Sequence, residues 1–149
     1  MRTDRALLIS GAVLEGFAGL SLGIAPRLSV ALLLGAELDS TGMMTARLTS
    51  IALLALGLAC WGAAADGGGP ARSATFKAIT LYNLGDAIFL IAFAASGKAT
   101  GLFVWAVGLL HLALAVGFIA CMRASERAHT PSPDSGRGAA LSPFGKNVK

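Results

Sequence analysis

The sequence predicts an all-α integral membrane protein. It reads as a four-helix bundle with a short interfacial helix between helices 1 and 2 and a disordered C-terminal tail. Three observations carry this reading. Apolar stretches at about 6–24, 42–65, 78–97 and 101–122 are each near the ~20 residues that a span requires. The chain is 55% hydrophobic and 13% charged, against roughly 25% charged in soluble domains. Its 19 glycines also fit membrane helices, where glycine is commoner than in soluble ones. The domain organisation that follows is a bundle over 1–122 and a tail over 123–149.

The first span follows a short basic start, MRTDR. A signal peptide shares that layout, but Glu15 interrupts the apolar core, Pro26 follows the would-be cleavage site at Ala25, and more spans follow. The span is therefore read as a retained helix. Gly11, Ala12, Ala18 and Gly19 stand three and four residues on either side of Glu15. Such a strip of small residues lets another helix approach closely, which turns Glu15 towards the bundle.

Pro26 is placed to open a short helix at about 26–35 and Gly35 to close it. This helix either lies on the bilayer surface or folds over the mouth of the bundle. Asp39, Ser40 and Thr41 are the available N-caps for the second span, and Trp61 near its far end is placed as an interfacial anchor. The run 66–76, DGGGPARSATF, reads as a loop because it is glycine-rich and contains Pro70. Only the residues around Gly97 to Ala99 separate the third span from the fourth, which predicts a tight antiparallel hairpin. From Arg123 the chain turns polar and carries three prolines, Pro131, Pro133 and Pro143, which is the composition of a disordered tail.

The net charge of +4 does not point to nucleic acid, because the basic residues lie at the ends of apolar segments with no aromatic-plus-basic patch. They set orientation instead. With four spans, Arg2, Arg5, Arg72, Lys77, Arg123, Arg127, Arg137, Lys146 and Lys149 share one side, and Arg27, Arg47 and Lys98 share the other. The excess of positive charge places both termini in the cytoplasm. Cys60 and Cys121 lie inside apolar segments with no zinc-type spacing. They read as buried free thiols, and no metal site, cofactor or catalytic residue is predicted.

The candidate site is a polar cluster within the bilayer. Glu15, Arg47, Asp86 and His111 each come from a different span, and Tyr82 and Asn83 share the face of Asp86. At about 1.5 Å per residue, Glu15, Asp86 and His111 fall near ~15 Å from the outer surface, the midplane of the hydrocarbon. Arg47 is only about 8 Å deep by the same measure, with a side chain long enough to reach inward. One charge at a helix centre costs about 2.5–3.5 kcal/mol on insertion scales, so the acids need a basic partner or a retained proton. The expected pairings are Glu15 with Arg47 and Asp86 with His111, supported by Asn83 and Tyr82. Arg47 with Asp86 is the alternative.

Arg47-Leu48, then ALLALGLACW over 52–61, Tyr82-Asn83, and Trp105 with Leu110-His111 resemble a set of small bacterial four-span membrane proteins, DoxX-like in broad architecture. The resemblance covers about 6–122. It implies a four-helix bundle in the bacterial inner membrane, and no settled activity. A second likeness is to the small multidrug resistance exporters, whose single acid in the first span is matched by Glu15 within SGAVLEGFAG. Arg47, Asp86 and His111 lie outside that pattern.

Two functions follow as expectations. In one, the cluster binds or moves a proton or a small solute. In the other, the chain is a structural or accessory subunit, with the small strip of the first span as its assembly face and a second copy or another membrane protein as its partner. A cation exporter and a quinone-linked redox protein rank below both. The lipid bilayer is the partner that every version shares.

Overall fold

The computed structural model describes residues 2–129, which form five helices. These are α1 (Arg2–Ile24), α2 (Pro26–Leu34), α3 (Ser40–Ala65), α4 (Pro70–Ala95) and α5 (Val104–His129). The four long helices are long and apolar enough to cross a membrane. Their outer surfaces carry large apolar side chains, with Phe17, Leu58, Leu81 and Phe89 all at least 69% exposed. Water would not tolerate such a girdle, whereas a bilayer solvates it and leaves the backbone bonded within each helix. The chain is a multi-pass membrane protein with an all-α fold.

The starts of α1 and α4 and the ends of α3 and α5 gather at one end of the bundle, here the proximal end; α2 lies at the distal end. α1 packs chiefly against α3, and α4 against α5; narrower seams between α3 and α4 and between α1 and α5 join the two pairs. Small residues make the first pairing possible. A Cβ on Gly57 would sit 3.1 Å from the Ala12 carbonyl oxygen and 3.1 Å from the Gly16 nitrogen. One on Gly19 would sit 2.9 Å from the Ser50 carbonyl oxygen. Backbones this close gain dispersion contacts that compensate for the missing hydrophobic drive between helices in lipid. The strip around Glu15 is thus covered by α3 of the same chain and is not a free assembly face.

The two pairs meet in a core towards the proximal end. Leu8 and Ala12 of α1, Cys60 of α3, Phe76 and Ile79 of α4 and Phe118 of α5 are buried there. Phe76 and Phe118 stack edge to face, with ring centroids 5.1 Å apart, the geometry that the ring quadrupoles favour.

Several local signals act as the sequence predicts. Pro26 opens α2, and Gly35 closes it in the left-handed region at φ 71°, where a side chain would be strained. Asp39 caps α3, its Oδ1 accepting from the Gly42 N–H at 2.6 Å. Cys60 is a buried free thiol and Cys121 a partly buried one. Several boundaries differ: α1 begins at Arg2 and α3 at Ser40, before the expected 6 and 42, and α5 begins at Val104, after the expected 101. α4 begins at Pro70, so the loop is 66–69 and not 66–76; proline is well suited to N1, where its missing N–H forfeits no helical bond. α4 also ends at Ala95, two residues earlier than expected. The last helix runs on to His129, past the expected start of the tail at 123. Ser125 and Arg127 are exposed there, and a helix needs no apolar face once it leaves the hydrocarbon. The rest of the expected tail, 130–149, lies outside the described residues.

α2 folds over the distal mouth of the bundle. The Thr100 N–H donates to the Leu34 carbonyl at 3.0 Å, and the Phe103 N–H to that of Leu32 at 3.0 Å. These bonds use carbonyls that the end of a helix would otherwise leave unpaired. Gly101 is pressed against the backbone of Leu33, with no room for a Cβ. The second half of the molecule is therefore fastened to the first by main-chain hydrogen bonds, away from the polar cluster.

Candidate functional site

Counted from the distal helix ends, Glu15 is nine residues in from Ile24, Asp86 nine from Ala95 and His111 seven from Val104. At the helical rise, all three lie within roughly 10–14 Å of those ends. Glu15 and Asn83 have no exposed surface and His111 has 5%, while the Asp86 side chain is 37% exposed.

The hydrogen-bonded part of the cluster joins α4 to α5. The Asn83 amide Nδ2 donates to the Ile79 carbonyl at 2.8 Å, one turn back in its own helix. That bond turns Asn83 Oδ1 to His111, whose Nδ1 lies 2.8 Å away. Because Oδ1 only accepts, His111 Nδ1 must carry a hydrogen and donate it. The other ring nitrogen, Nε2, lies 3.8 Å from Asp86 Oδ2. With no proton between them, a lone pair would face a carboxylate. With one, the arrangement is either imidazolium with carboxylate or imidazole with carboxylic acid. Asn83 thus fixes the tautomer, and Nε2 is left facing Asp86 across 3.8 Å, a separation too long for a direct hydrogen bond. Tyr82 packs against the same imidazole, edge to face, with centroids 5.9 Å apart.

Glu15 approaches from α1. Both of its carboxyl oxygens are buried and without a hydrogen-bond partner. It interacts electrostatically with Asp86 and with Tyr82, and Tyr82 interacts with both acids. The phenol is therefore close to both carboxyl groups without hydrogen-bonding to Glu15. A carboxylate left bare in hydrocarbon costs several kcal/mol, so Glu15 requires a proton or a cation to sit where it does.

The expected pairing of Glu15 with Arg47 is not formed, and neither is Arg47 with Asp86. Arg47 is seven residues from the start of α3, at a depth comparable to the others, but its side chain is exposed. The buried stripe of α3 runs through Ala46, Ser50, Leu53, Gly57 and Cys60, and Arg47 falls beside it. The contact of Gly19 and Gly57 with the facing backbones leaves no space for a guanidinium between α1 and α3. Arg47 instead lies on the outer surface, where its long stem can carry the charge towards the distal interface. The structure therefore brings together Glu15, Tyr82, Asn83, Asp86 and His111, and leaves Arg47 out.

A second charged group was not singled out from the sequence. Arg72 NH2 pairs with Asp4 Oδ2 at 2.8 Å and NH1 donates to the Asp66 carbonyl at 2.6 Å. Both partners stand near helix starts or ends at the proximal end, and only the antiparallel packing of α1 and α4 reveals that they meet. Arg72 and Asp4 border a cleft of about 570 Å³ whose walls come from α1, α4 and α5. A smaller one of about 250 Å³ lies between α3 and α4. Neither cleft is lined by Glu15, Asp86 or His111. Among the described residues, no group of three or more His, Cys, Asp or Glu side chains is placed to hold a metal ion.

The structure is that of a multi-pass membrane protein in which Glu15, Asn83 and His111 are buried and Tyr82 and Asp86 lie beside them. No family model, curated protein or solved structure matches the chain.

Proposed function

We propose that this chain is a bacterial inner-membrane protein, both termini cytoplasmic, whose intramembrane cluster binds and passes protons. The observation that carries the reading is Glu15, wholly buried with neither carboxyl oxygen hydrogen-bonded. It faces an Asp86–His111 pair that itself accommodates one proton. A proton satisfies a buried carboxyl without any cavity, whereas a solute needs a chamber. Asp86, the most exposed of the group, is the point of entry. Tyr82, close to both carboxyls, relays a proton to Glu15 by giving up one and taking another. In the bilayer, ionisable residues that face a bundle interior mark such pathways. The expected inner-membrane location and cytoplasmic termini rest on the sequence resemblance and on the excess of basic residues at one end.

The test uses the full chain in liposomes loaded with a pH-sensitive dye, driven by a potassium diffusion potential. The parent protein should acidify or alkalinise the lumen according to the sign of the potential, and Glu15→Gln and Asp86→Asn should lose that response while keeping the parent's circular dichroism. If both variants conduct as well as the parent, or the parent does no better than empty liposomes, the proposal fails. Infrared difference spectra across a pH step give a readout of binding alone. A carboxyl band present in the parent and missing from Glu15→Gln is the expected result.

A further inference from the structure

The outer face of α3 is left without a partner by the rest of the chain. Met44, Leu48, Ile51, Ala55, Leu58 and Gly62 follow one another at alternating steps of four and three residues, and all six are exposed. That is the spacing of a coiled-coil seam, which keeps one stripe of a helix turned to one partner. Small residues at Ala55 and Gly62 let a second backbone come close, and a Cβ on Gly62 would meet nothing of this chain within 4 Å. In lipid the apolar stripe decides nothing by itself, because every outer face is apolar. The charge beside it decides.

Arg47 immediately precedes Leu48, on the edge of the stripe from which a charged side chain reaches across to a partner helix. It is exposed, about 10 Å from the distal end of α3, and has no ion-pair partner among the described residues. A guanidinium at that depth is costly in lipid unless an anion meets it. Along the other edge of the stripe stand Thr45, Ala52 and Ala59, all small and exposed. Ala59 borders the cleft between α3 and α4, with Thr75 on the facing helix. Steps of seven and four residues carry that side of α4 from Thr75 to Tyr82 and Asp86. The Asp86 side chain, 37% exposed, is thus approached past the small side chains of the second edge. It lies about 14 Å from the distal end of α4, close to the depth of Arg47.

We propose that two copies of this chain associate through α3, in the same orientation, so that Arg47 of each pairs with Asp86 of the other. The two-fold axis lies along the membrane normal and the contact is isologous. Arg47 stands on one edge of the stripe and the approach to Asp86 on the other, so a half-turn sets each opposite its counterpart. The guanidinium donates to the Asp86 carboxylate, which accepts no direct hydrogen bond from His111 at 3.8 Å. The difference in depth of about 4 Å is within the reach of an arginine stem. Each copy then holds a cation against the acid through which protons enter the other. That last consequence rests on the proton reading; the association does not.

The full-length protein is reconstituted in liposomes over a range of protein-to-lipid ratios, and dimer is read by energy transfer between labelled copies. The parent should pass from monomer to dimer as lipid is reduced. Arg47→Gln and Asp86→Asn each remove both charge contacts and should weaken association about tenfold. An equal mixture of the two variants regains one contact and should recover about threefold of that loss. Because Arg47 is exposed, its replacement leaves the fold of each chain intact and the loss reads association alone. Oxidation in a background lacking Cys60 and Cys121 should join Leu48→Cys into a dimer and spare Leu109→Cys, which is exposed on α5. A parent that stays monomeric at every ratio overturns the proposal, as does an Arg47→Gln protein that associates like the parent. So does a mixture no better than either variant, or cross-linking through Leu109→Cys as readily as through Leu48→Cys. Energy transfer needs no proton flux, so failure of the proton experiment leaves these outcomes unchanged.

Discussion

At the scale of single residues, the cluster depends on Asn83 more than on either acid. Its amide satisfies the Ile79 carbonyl and its oxygen satisfies His111 Nδ1, both at 2.8 Å and both buried. Asn83→Leu removes both partners at once and leaves a buried imidazole N–H unpaired. The expected loss is about 1–3 kcal/mol, read as a lower midpoint in thermal unfolding of the detergent-solubilised protein. Arg47→Gln makes the contrasting case. If Arg47 neutralised Glu15, removing it would strand a buried charge and destabilise by about 3–5 kcal/mol. Because the side chain is exposed and is not paired with Glu15, the change should stay within about ±0.5 kcal/mol in the same measurement. A large drop would restore the pairing expected from the sequence.

At the scale of elements, close packing and main-chain stitching do what hydrophobic burial does in water. Gly57 is the clearest position, since any side chain there meets the backbone of α1 at Ala12 and Gly16. Gly57→Val should force α1 and α3 apart and cost about 1–3 kcal/mol as overpacking, with a broadened or split elution profile in size-exclusion chromatography. Gly57→Ala should do less, as a single Cβ at 3.1 Å needs a shift of only a few tenths of an ångström. Gly101→Val tests the distal clasp. A Cβ there runs into Leu33, so the hydrogen bonds of Thr100 and Phe103 to α2 should break. Amide exchange at Thr100 and Phe103 should then speed up while that of α1 and α3 stays as in the parent. These elements differ in how far the sequence reveals them. Span number, the Pro26 and Gly35 boundaries, an N-cap among residues 39–41 and the inward turn of Glu15 were all readable, because each depends on local signals or on the neighbours three and four residues away. The α2 clasp was not, since it joins backbone atoms some 70 positions apart, and backbone bonds leave no mark in residue type. Arg47 was misjudged for a related reason. Its depth follows from counting, but whether it points inward depends on which stripe of α3 is buried, and α3 is apolar on nearly every side. The start of α4 at Pro70 was masked by glycines whose influence ends at residue 69.

At the scale of the whole molecule, four crossings make a definite statement about sides. α1 and α4 run from the proximal to the distal end, and α3 and α5 run back. The 66–69 loop and the end of α5 therefore share one face of the membrane, and the 35–39 and 96–103 connections share the other. Six of the nine basic residues among the described ones, Arg2, Arg5, Arg72, Lys77, Arg123 and Arg127, belong to the first group, an excess that supports the proposed cytoplasmic placement of that face. Single cysteines test this directly in a background where Cys60 and Cys121 are replaced by alanine or serine, chosen to preserve the burial of Cys60. Gly68 and Ser96 are suitable sites because each is exposed, and Gly67 adjoins the first as a control. In intact spheroplasts, a membrane-impermeant maleimide should label Ser96→Cys and spare Gly68→Cys and Gly67→Cys. After permeabilisation all three should react. Labelling of Gly68→Cys in intact cells would reverse the orientation. Equal labelling of Gly68→Cys and Ser96→Cys before permeabilisation would contradict the four-span arrangement itself.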